Sequence, residues 1–270
     1  MGPLKGIKVL EFSGIGPGPY CGMLLADMGA DVIRVNRIND KDKHNKFDIH
    51  NRSKRSIVAD LKNPNSINEL LKLISSVDVV FEGFRPGVME KLGLGPDECF
   101  KQNEALVYGR MTGWGQDGPM SKMAGHDINY IGLSGALHAI GKKDSNPIIP
   151  LNLIGDYGGG GMMLAMGILA AVISSIKTGK GQVVDSAMID GSLSLMSLFY
   201  SLKEVGFWQD ERESNFLDGA AHFYNTYECS DNKFLAVGSL EPQFYSILLE
   251  KLELNDCLLY TSDAADEYSR

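Results

Sequence analysis

Apolar and polar positions alternate in blocks that predict strands separated by helices through the first 115 residues. Runs of β-branched and aromatic residues predict buried strands at 6–14, 31–36, 55–62, 78–84 and 105–115. Apolar residues at helical spacing predict helices at 20–30, 65–77 (with Asn65 as N-cap) and 87–95. Because strands that alternate with helices form βαβ units, we predict an α/β fold with a mostly parallel sheet.

The pattern changes after residue 115. A glycine- and methionine-rich region runs to residue 176, and it is followed by a predicted strand at 177–191, a β-hairpin at 222–239 and a helix at 241–254. The most apolar run, Gly158–Ile176, begins with four glycines and contains two serines, which favours a buried helix over a membrane span.

Three segments follow from this change. We predict a large domain at 1–200 and a linker with the start of a smaller domain at 201–256. The remainder, 257–270, comes directly after a helix with no closing strand, and we interpret it as a non-native tail on a C-terminally truncated domain. A natural frayed tail is the alternative.

The charge pattern bears on the ligand. A net charge of −8 argues against general nucleic-acid binding. A local basic stretch suits a small phosphorylated ligand, although a solvated loop explains it equally well. Its cations are Arg34, Arg37, Lys41, Lys43, Lys46, Arg52, Lys54, Arg55 and Lys62. The scattered cysteines (Cys21, Cys99, Cys229 and Cys257) predict neither a disulfide framework nor a zinc site.

Two glycine-rich motifs and two further residues could carry chemistry. The loop Gly14–Pro19 does not match a dinucleotide fingerprint, and a structural turn and a cofactor-contacting loop both stay open. Asp156 stands where an N-cap would be, and the glycines behind it serve either close helix packing or N–H donation to a ligand oxygen. His126 is either a satisfied polar residue or a base, and Glu241 either begins a helix or orients a histidine.

Taken in order, these segments resemble the α-methylacyl-CoA racemase family, within the family III CoA-transferase (CaiB/BaiF) superfamily. The resemblance covers residues 4–256 and is carried by "VLEFSGIGPGPYCGMLLADMGADVIRV", "RPGVMEKLGLGP", "GHDINYIGLSG", "PLNLIGDYGGGGMMLAMGI" and "GSLEPQFY". The histidine of "GHDINY" separates racemases from their transferase relatives, which usually lack it.

The resemblance implies that 2-methyl-branched fatty acyl-CoA thioesters are interconverted between their R and S forms. One base removes the C2 proton and a conjugate acid returns a proton to the opposite face of an enolate. The matching residues are His126 and Asp156, with roles set by the enantiomer, and Glu241 would orient the histidine. We expect no cofactor and no metal, since the thioester itself activates the carbon.

The resemblance also implies how coenzyme A binds as part of the substrate. The adenine and phosphate end would lie against the N-terminal half and the thioester end beside residues 125–130. The implied contacts are Arg37, Ala59, Asp60, Leu61, Lys62, Arg85, Gly125, Asp127, Ile128, Asn129 and Tyr130. Whether Arg52, Lys54 or Arg55 touches phosphate stays open.

The fold that the resemblance implies is a Rossmann-like large domain with a smaller α+β domain, in an interlocked homodimer. We expect peroxisomal or mitochondrial localisation in a eukaryote and cytoplasmic localisation in a bacterium. Two alternatives remain open. One is a CoA-transferase that uses Asp156 as a nucleophile, and the other is an inactive CoA-binding fragment.

Overall fold

A six-stranded parallel sheet forms the centre of the computed structural model, which describes residues 2–12, 14–38 and 47–254. Its strands are β1 (Lys8–Phe12), β2 (Asp31–Arg37), β3 (Lys54–Ala59), β4 (Val79–Glu82), β5 (Val107–Thr112) and β6 (Gln182–Ala187). Their order is β3-β2-β1-β4-β5-β6, and every neighbouring pair is parallel. The predicted α/β fold with a parallel sheet is confirmed. The predicted tail at 257–270, with Cys257, and Lys41, Lys43 and Lys46 lie outside the described residues.

Helices connect these strands and continue beyond them. They are α1 (Pro17–Asp27), α2 (Pro64–Ile74), α3 (Val88–Lys91), α4 (Pro96–Gln102), α5 (Asp127–Leu133), α6 (Ala136–Ala139), α7 (Met163–Thr178), α8 (Met188–Leu195), α9 (Ser197–Glu204) and α10 (Pro242–Lys251). A 3₁₀ turn spans Ile49–Asn51 and a π-helical segment spans Leu153–Met162, directly before α7. An antiparallel hairpin of β7 (Tyr224–Glu228) and β8 (Phe234–Gly238) lies where one is predicted.

The start of α2 corrects one prediction. Its N-cap is Asn63, whose side-chain oxygen accepts the N–H of Asn65 at 2.9 Å. Pro64 occupies the first helical position, where a missing N–H costs no hydrogen bond. The predicted N-cap at Asn65 is therefore wrong by two residues.

The core has two layers because alternate residues of a strand point to opposite faces of the sheet. On β1, Val9 belongs to the cluster beneath α1 and α7, and its neighbour Leu10 belongs to the cluster beneath α2. Both are fully buried, and β1 pairs with β2 on one side and β4 on the other. A central parallel strand covered on both faces accounts for the continuous apolar run by which the sequence predicts it.

The chain divides into two compact units, each described here by itself. The first contains the sheet and comprises the described residues of Met1–Ser134 and Pro150–Leu195. The second comprises Gly135–Ile149 and the described residues from Met196 onward. Within it, the Arg212 guanidinium donates to the carbonyls of His138, Lys142 and Ser145 at 2.7–3.1 Å. These bonds tie the 135–149 segment to its unit, while the predicted domain boundaries stay predictions.

The glycine-led apolar run forms the π-helical segment and α7. By length and composition Leu153–Thr178 could cross a membrane, a property that core helices of globular proteins share. One side of α7, including Leu164, Ile168 and Ala171, is buried in the core cluster with strand residues. Met166 and Ile176, which also belong to α7, are exposed.

Candidate functional site

A cavity of about 1210 Å³ opens in the first unit, over the carboxyl ends of the parallel strands. The loops that follow β1, β4 and β5 line it, together with residues of β2, β3, α5 and the π-helical segment. In open α/β sheets, ligands bind at this edge where the strand order reverses. Here the order reverses between β1 and β4. The loop Gly14–Gly18 lies at that point and lines the cavity, so the glycine-proline turn is placed to contact a ligand.

His126 lies on the wall of this cavity, at the N-terminus of α5. His126 is exposed, and its backbone N–H donates to the side-chain oxygen of Asn129 at 2.9 Å. This bond fixes the backbone at the start of the short helix. The imidazole therefore stands on a fixed backbone, facing a space that a ligand can enter.

Asp156 lines the same cavity, but its position in the helix differs from the prediction. Asn152 occupies the N-cap position of the π-helical segment, and Asp156 lies inside the segment. The Asn152 side-chain amide donates to Asp156 Oδ2 at 3.2 Å. The predicted N-cap position for Asp156 is wrong, because the helical backbone begins one turn earlier than the glycine run indicates.

Asp127 is buried and connects the two segments that carry His126 and Asp156. Its Oδ2 accepts the backbone N–H of Asp156 at 2.7 Å. Burial raises the pKa of Asp127, the negative charge of Asp156 adds to this, and the donated N–H groups of Asp156 and Gly155 oppose it. Asp127 thus has a local structural role and lies outside the cavity lining.

The backbone donors predicted at the opening of this helix have other partners. The N–H of Asp156 is bonded to Asp127, and the N–H of Tyr157 is directed at the carbonyl of Asn152 at 3.3 Å. Neither can donate to an enolate oxygen without breaking an existing bond. The prediction that this turn supplies an oxyanion site is therefore not supported at these two positions.

The glycine run allows close helix packing. A Cβ at Gly159 would lie 2.7 Å from the backbone N of Ser192, and one at Gly161 would lie 2.7 Å from the carbonyl oxygen of Pro17. Any side chain at these positions would push α8 or α1 away from the π-helical segment. The close approach of these helices therefore accounts for glycine at positions 159 and 161.

An aromatic pair forms part of the wall of the same cavity. The rings of Trp114 and Tyr130 meet edge to face with centroids 4.7 Å apart, and both residues line the cavity. Burial raises the pKa of Tyr130 to about 12, and the charges of Asp156 and Asp127 contribute. A Cβ at Gly125 would lie 2.8 Å from the Tyr130 ring, so glycine is needed beside the histidine.

Arginines supply positive charge in the cavity. Arg34, Arg37 and Arg85 all line it, and the Arg37 guanidinium lies 5.6 Å from the centroid of the Phe84 ring. Arg34 donates to the side chain of Asn51, and its Nε lies 3.9 Å from the carboxylate of Glu11. Guanidinium groups are suited to bidentate recognition of phosphate.

The three other basic residues whose role is open, Arg52, Lys54 and Arg55, have partners within the protein. Arg52 pairs with Asp27 and Arg55 pairs with Asp31. Lys54 is buried, and its Nζ lies 2.6 Å from Glu11 Oε2 and 2.9 Å from the carbonyl oxygen of Pro19. These three cations are paired with protein carboxylates, and none of them lines the cavity.

The sequence-predicted residues therefore fall into three groups. Among the cavity-lining residues are His126, Asp156, Arg37, Arg85, Gly125 and Tyr130. Outside its lining are Ala59, Asp60, Leu61, Lys62, Asp127, Ile128 and Asn129. Glu241 is the N-cap of α10 in the second unit, and its role stays a prediction.

The sequence interpretation missed several cavity residues, including Asn152, Tyr157, Arg34 and Trp114. For Asn152 a signal existed, because side chains four residues apart lie on one helical face and it precedes Asp156 by four. Arg34 was recognised only as part of the charged stretch. Within the described ranges, no group of three His, Cys, Asp or Glu side chains is arranged to hold a metal ion.

The fold is that of an α/β protein with a cavity at the carboxyl edge of its parallel sheet, lined by a histidine, an aspartate and three arginines. The chain belongs to CoA-transferase family III, which it matches over residues 4–270. This confirms the predicted family.

Three proteins of known name or structure are similar to the chain. It is 47% identical to alpha-methylacyl-CoA racemase of Mus musculus over 251 residues, which cover 93% of this chain and 65% of the mouse protein. It is 45% identical to alpha-methylacyl-CoA racemase of Homo sapiens, with 98% of this chain and 69% of the human protein covered. A crystal structure of a CAIB/BAIF family protein from Brucella suis gives a TM-score of 0.79 at 28% identity, covering 94% of this chain and 71% of that one. The chain thus spans about two thirds of the length of the two racemases.

Proposed function

We propose that this protein interconverts the R and S forms of 2-methyl-branched fatty acyl-CoA thioesters by proton transfer through an enolate. The observation that carries the proposal is that His126 and Asp156 line one cavity together with Arg37 and Arg85. A base and a carboxyl group suit proton transfer at C2 of a thioester, and two guanidinium groups suit the phosphates of its CoA part. The names of the two racemase relatives support the same activity.

The reaction needs two groups with opposite protonation. One of His126 and Asp156 removes the C2 proton. The electron pair of the broken C2–H bond then delocalises onto the thioester carbonyl, which gives an enolate. The other group, protonated, returns a proton to the opposite face of C2, and the roles reverse for the other enantiomer. Asn152, which donates to Asp156 Oδ2, leaves Oδ1 of that carboxyl group to meet the substrate.

Coenzyme A would enter as part of the substrate, with its phosphates toward the arginines. Arg85 is exposed in the loop after β4, and Arg37 is exposed at the carboxyl end of β2. Neither arginine forms an ion pair within the described part of the chain. Their guanidinium groups can therefore bind an anionic ligand without breaking a salt bridge. The mechanism itself requires no metal or redox cofactor, because the thioester acidifies C2.

A homodimer and a role for Glu241 in orienting His126 are part of the proposal. The exposed apolar side chains of α7 support a partner, since Met166 is 62% and Ile176 is 74% exposed. Apolar surface of this kind is stabilised by burial against another protein surface. A second copy of the chain is the expected occupant, and sedimentation equilibrium measures it.

A CoA-transferase is the second candidate, and the description of the family favours it. In that reaction Asp156 would attack the thioester carbonyl, expel the CoA thiolate and form an acyl anhydride. A transferase needs no base at His126 but needs a free carboxylate as acceptor.

One experiment separates these functions. The protein is incubated with (S)-2-methylacyl-CoA in D₂O, without a second acid. Deuterium at C2 with loss of optical purity supports the racemase. Acyl exchange that begins only when a free carboxylate is added identifies a transferase. CoA binding without either reaction would contradict both and leave an inactive CoA-binding fragment.

A further inference from the structure

The loop at residues 83–86, which follows β4, lines the cavity and carries Arg85. The carbonyl oxygen of Arg85 accepts the N–H of Val88 at 3.1 Å, which closes a four-residue turn. Gly87, the third residue of this turn, has φ 83° and ψ −2°. These are the values that a type II turn requires, and proline is common at its second position. The backbone on the carboxyl side of Arg85 is therefore fixed by the sequence Arg-Pro-Gly-Val.

The backbone on the amino side of Arg85 is held by Glu82, the last residue of β4. Glu82 is buried, and its Oε2 accepts the N–H of Phe84 at 2.6 Å. The half-buried Phe84 side chain packs against the core cluster beneath α2. Arg85 thus extends an exposed side chain from a backbone that is anchored on both sides.

A single guanidinium group connects the two ends of this loop. Arg110 of β5 is the direct strand partner of Glu82, and its Nε lies 3.4 Å from Glu82 Oε1. Its Nη2 donates to Oε1 of Glu90 in α3, the helix that follows the loop. Arg110 is buried, and neither it nor the two carboxyl groups line the cavity. Glu82, Arg110 and Glu90 thus form a brace behind the loop.

The chemistry of this brace suits it to hold the loop in one position. A guanidinium group presents its N–H groups in a rigid plane, so one Arg110 side chain fixes the two carboxyl groups relative to each other. Arg85 forms no ion pair within the described part of the chain, so its position depends on its backbone. Bidentate binding of a phosphate demands a defined geometry, and it is tighter when the guanidinium is held in place before the ligand arrives.

We propose that the brace of Glu82, Arg110 and Glu90 positions Arg85 for a phosphate group of the bound CoA thioester. The three are positioning residues, because they act through the loop and lie outside the cavity lining. The inference rests on the proposed function for the identity of the ligand. It assigns a role in ligand binding to groups that the sequence interpretation did not contain.

The brace is tested at Glu90, whose side chain is 45% exposed, so that its removal leaves the buried core intact. Binding of free CoA is measured by isothermal titration at pH 8, above the pKa of about 7 of Glu82. We expect Glu90→Ala to raise the Kd roughly 3- to 10-fold, the equivalent of one hydrogen bond. Glu90→Gln keeps the shape of the side chain and should act in the same direction with a smaller effect. Loss of an acid by itself favours anion binding, so a higher Kd has the sign of lost positioning.

Two further variants separate positioning from other effects. Glu98→Ala is the matched control, because Glu98 is 47% exposed and pairs with Lys101 on α4. It removes the same charge away from the loop and should not weaken CoA binding. Arg85→Ala completes a double-mutant cycle. Once Arg85 is absent, Glu90→Ala should have no further effect on the Kd.

Deuterium exchange at C2, measured on the same proteins, separates this inference from the proposed function. Glu90→Ala should raise the KM for the thioester and leave kcat near that of the unaltered protein, since the proton-transfer groups are untouched. If CoA binding depends on Glu90 through Arg85 but no protein exchanges deuterium, the racemase activity fails while the brace stands.

Four results would overturn the brace. They are an unchanged Kd in both Glu90 variants, an equal loss in Glu98→Ala, an undiminished effect of Glu90→Ala in the Arg85→Ala background, and a fall in kcat at unchanged KM. Absence of CoA binding by the unaltered protein would overturn the brace and the proposed function together.

Discussion

The carboxylate of Asp127 accepts the backbone N–H of Asp156 at 2.7 Å. The bond joins the first turn of α5, which follows His126, to the π-helical segment that carries Asp156. Because Asp127 is buried, this connection is shielded from water. The spacing of the two proposed proton-transfer groups therefore depends on a third acid that has no contact with the cavity.

Replacement of Gly155 tests this dependence. A Cβ at Gly155 would lie 2.7 Å from Asp127 Oδ2, so Gly155→Ala must separate the two segments. A displacement near 1 Å at a catalytic group lowers the rate by roughly 100-fold. We expect a loss of that size in deuterium exchange at C2. Gly132→Ala on α5 is the control, since nothing lies within 4 Å of a Cβ there. Equal rates in the two variants would contradict the dependence.

Anion binding is tested by two arginines in different surroundings. Arg85 lines the cavity, whereas Arg55 pairs with Asp31 outside it. A charge-assisted hydrogen bond contributes about 1.5–3 kcal/mol, so Arg85→Ala should weaken CoA binding roughly 10- to 100-fold. Isothermal titration with free CoA measures this change. Arg55→Ala should leave the Kd near that of the unaltered protein, and a comparable loss there would assign the effect to net charge alone.

Glu82 gives the protein a pH-dependent stability. It is buried at the end of β4, and its Oε2 accepts the N–H of Phe84 at 2.6 Å. Burial raises its pKa to about 7, while the Phe84 N–H and Arg110 oppose this. Arg110 is also engaged by Glu90, and its Nε lies 3.4 Å from Glu82 Oε1. Burial therefore dominates at Glu82.

The direction of the effect follows from the raised pKa. The folded protein holds a proton that the unfolded chain releases near pH 4.5. The stability contribution is complete below pH 4.5 and is lost as the pH rises to about 7. The loss amounts to about 3 kcal/mol of unfolding free energy. Glu82→Gln should remove this dependence, measured by urea unfolding at pH 5 and pH 8. Parallel pH profiles for the two proteins would contradict it.

The fold could be predicted from the sequence because buried parallel strands are apolar on both faces. β1 and β4, whose residues are almost all buried, show this directly. The exact ends of helices are harder to predict from the sequence. At the start of α2, Asn63, Pro64 and Asn65 are all compatible with a helix N-terminus, and the structure places the N-cap two residues before the predicted one. Short helices such as α6 carry too few turns to produce a periodic pattern.

The site was predictable in its parts and not in their arrangement. His126 and Asp156 follow from the family motifs, and the structure places both at one cavity. The π-helical backbone around Asp156 has no sequence signal, because a run of glycines does not distinguish one type of helix from another. The pairing of Lys54 with Glu11 was also hidden, since the two residues are 43 positions apart and meet only when β1, β2 and β3 assemble.

The most direct test of the account is deuterium exchange at C2 by His126→Ala. Separate incubations in D₂O start from (S)- and (R)-2-methylacyl-CoA, without a second acid, and mass spectrometry follows the label. The unaltered protein should introduce deuterium from both enantiomers, because each face of C2 has its own proton-transfer group. His126→Ala should abolish exchange from at least one enantiomer. Unchanged exchange from both enantiomers would contradict the two-base account.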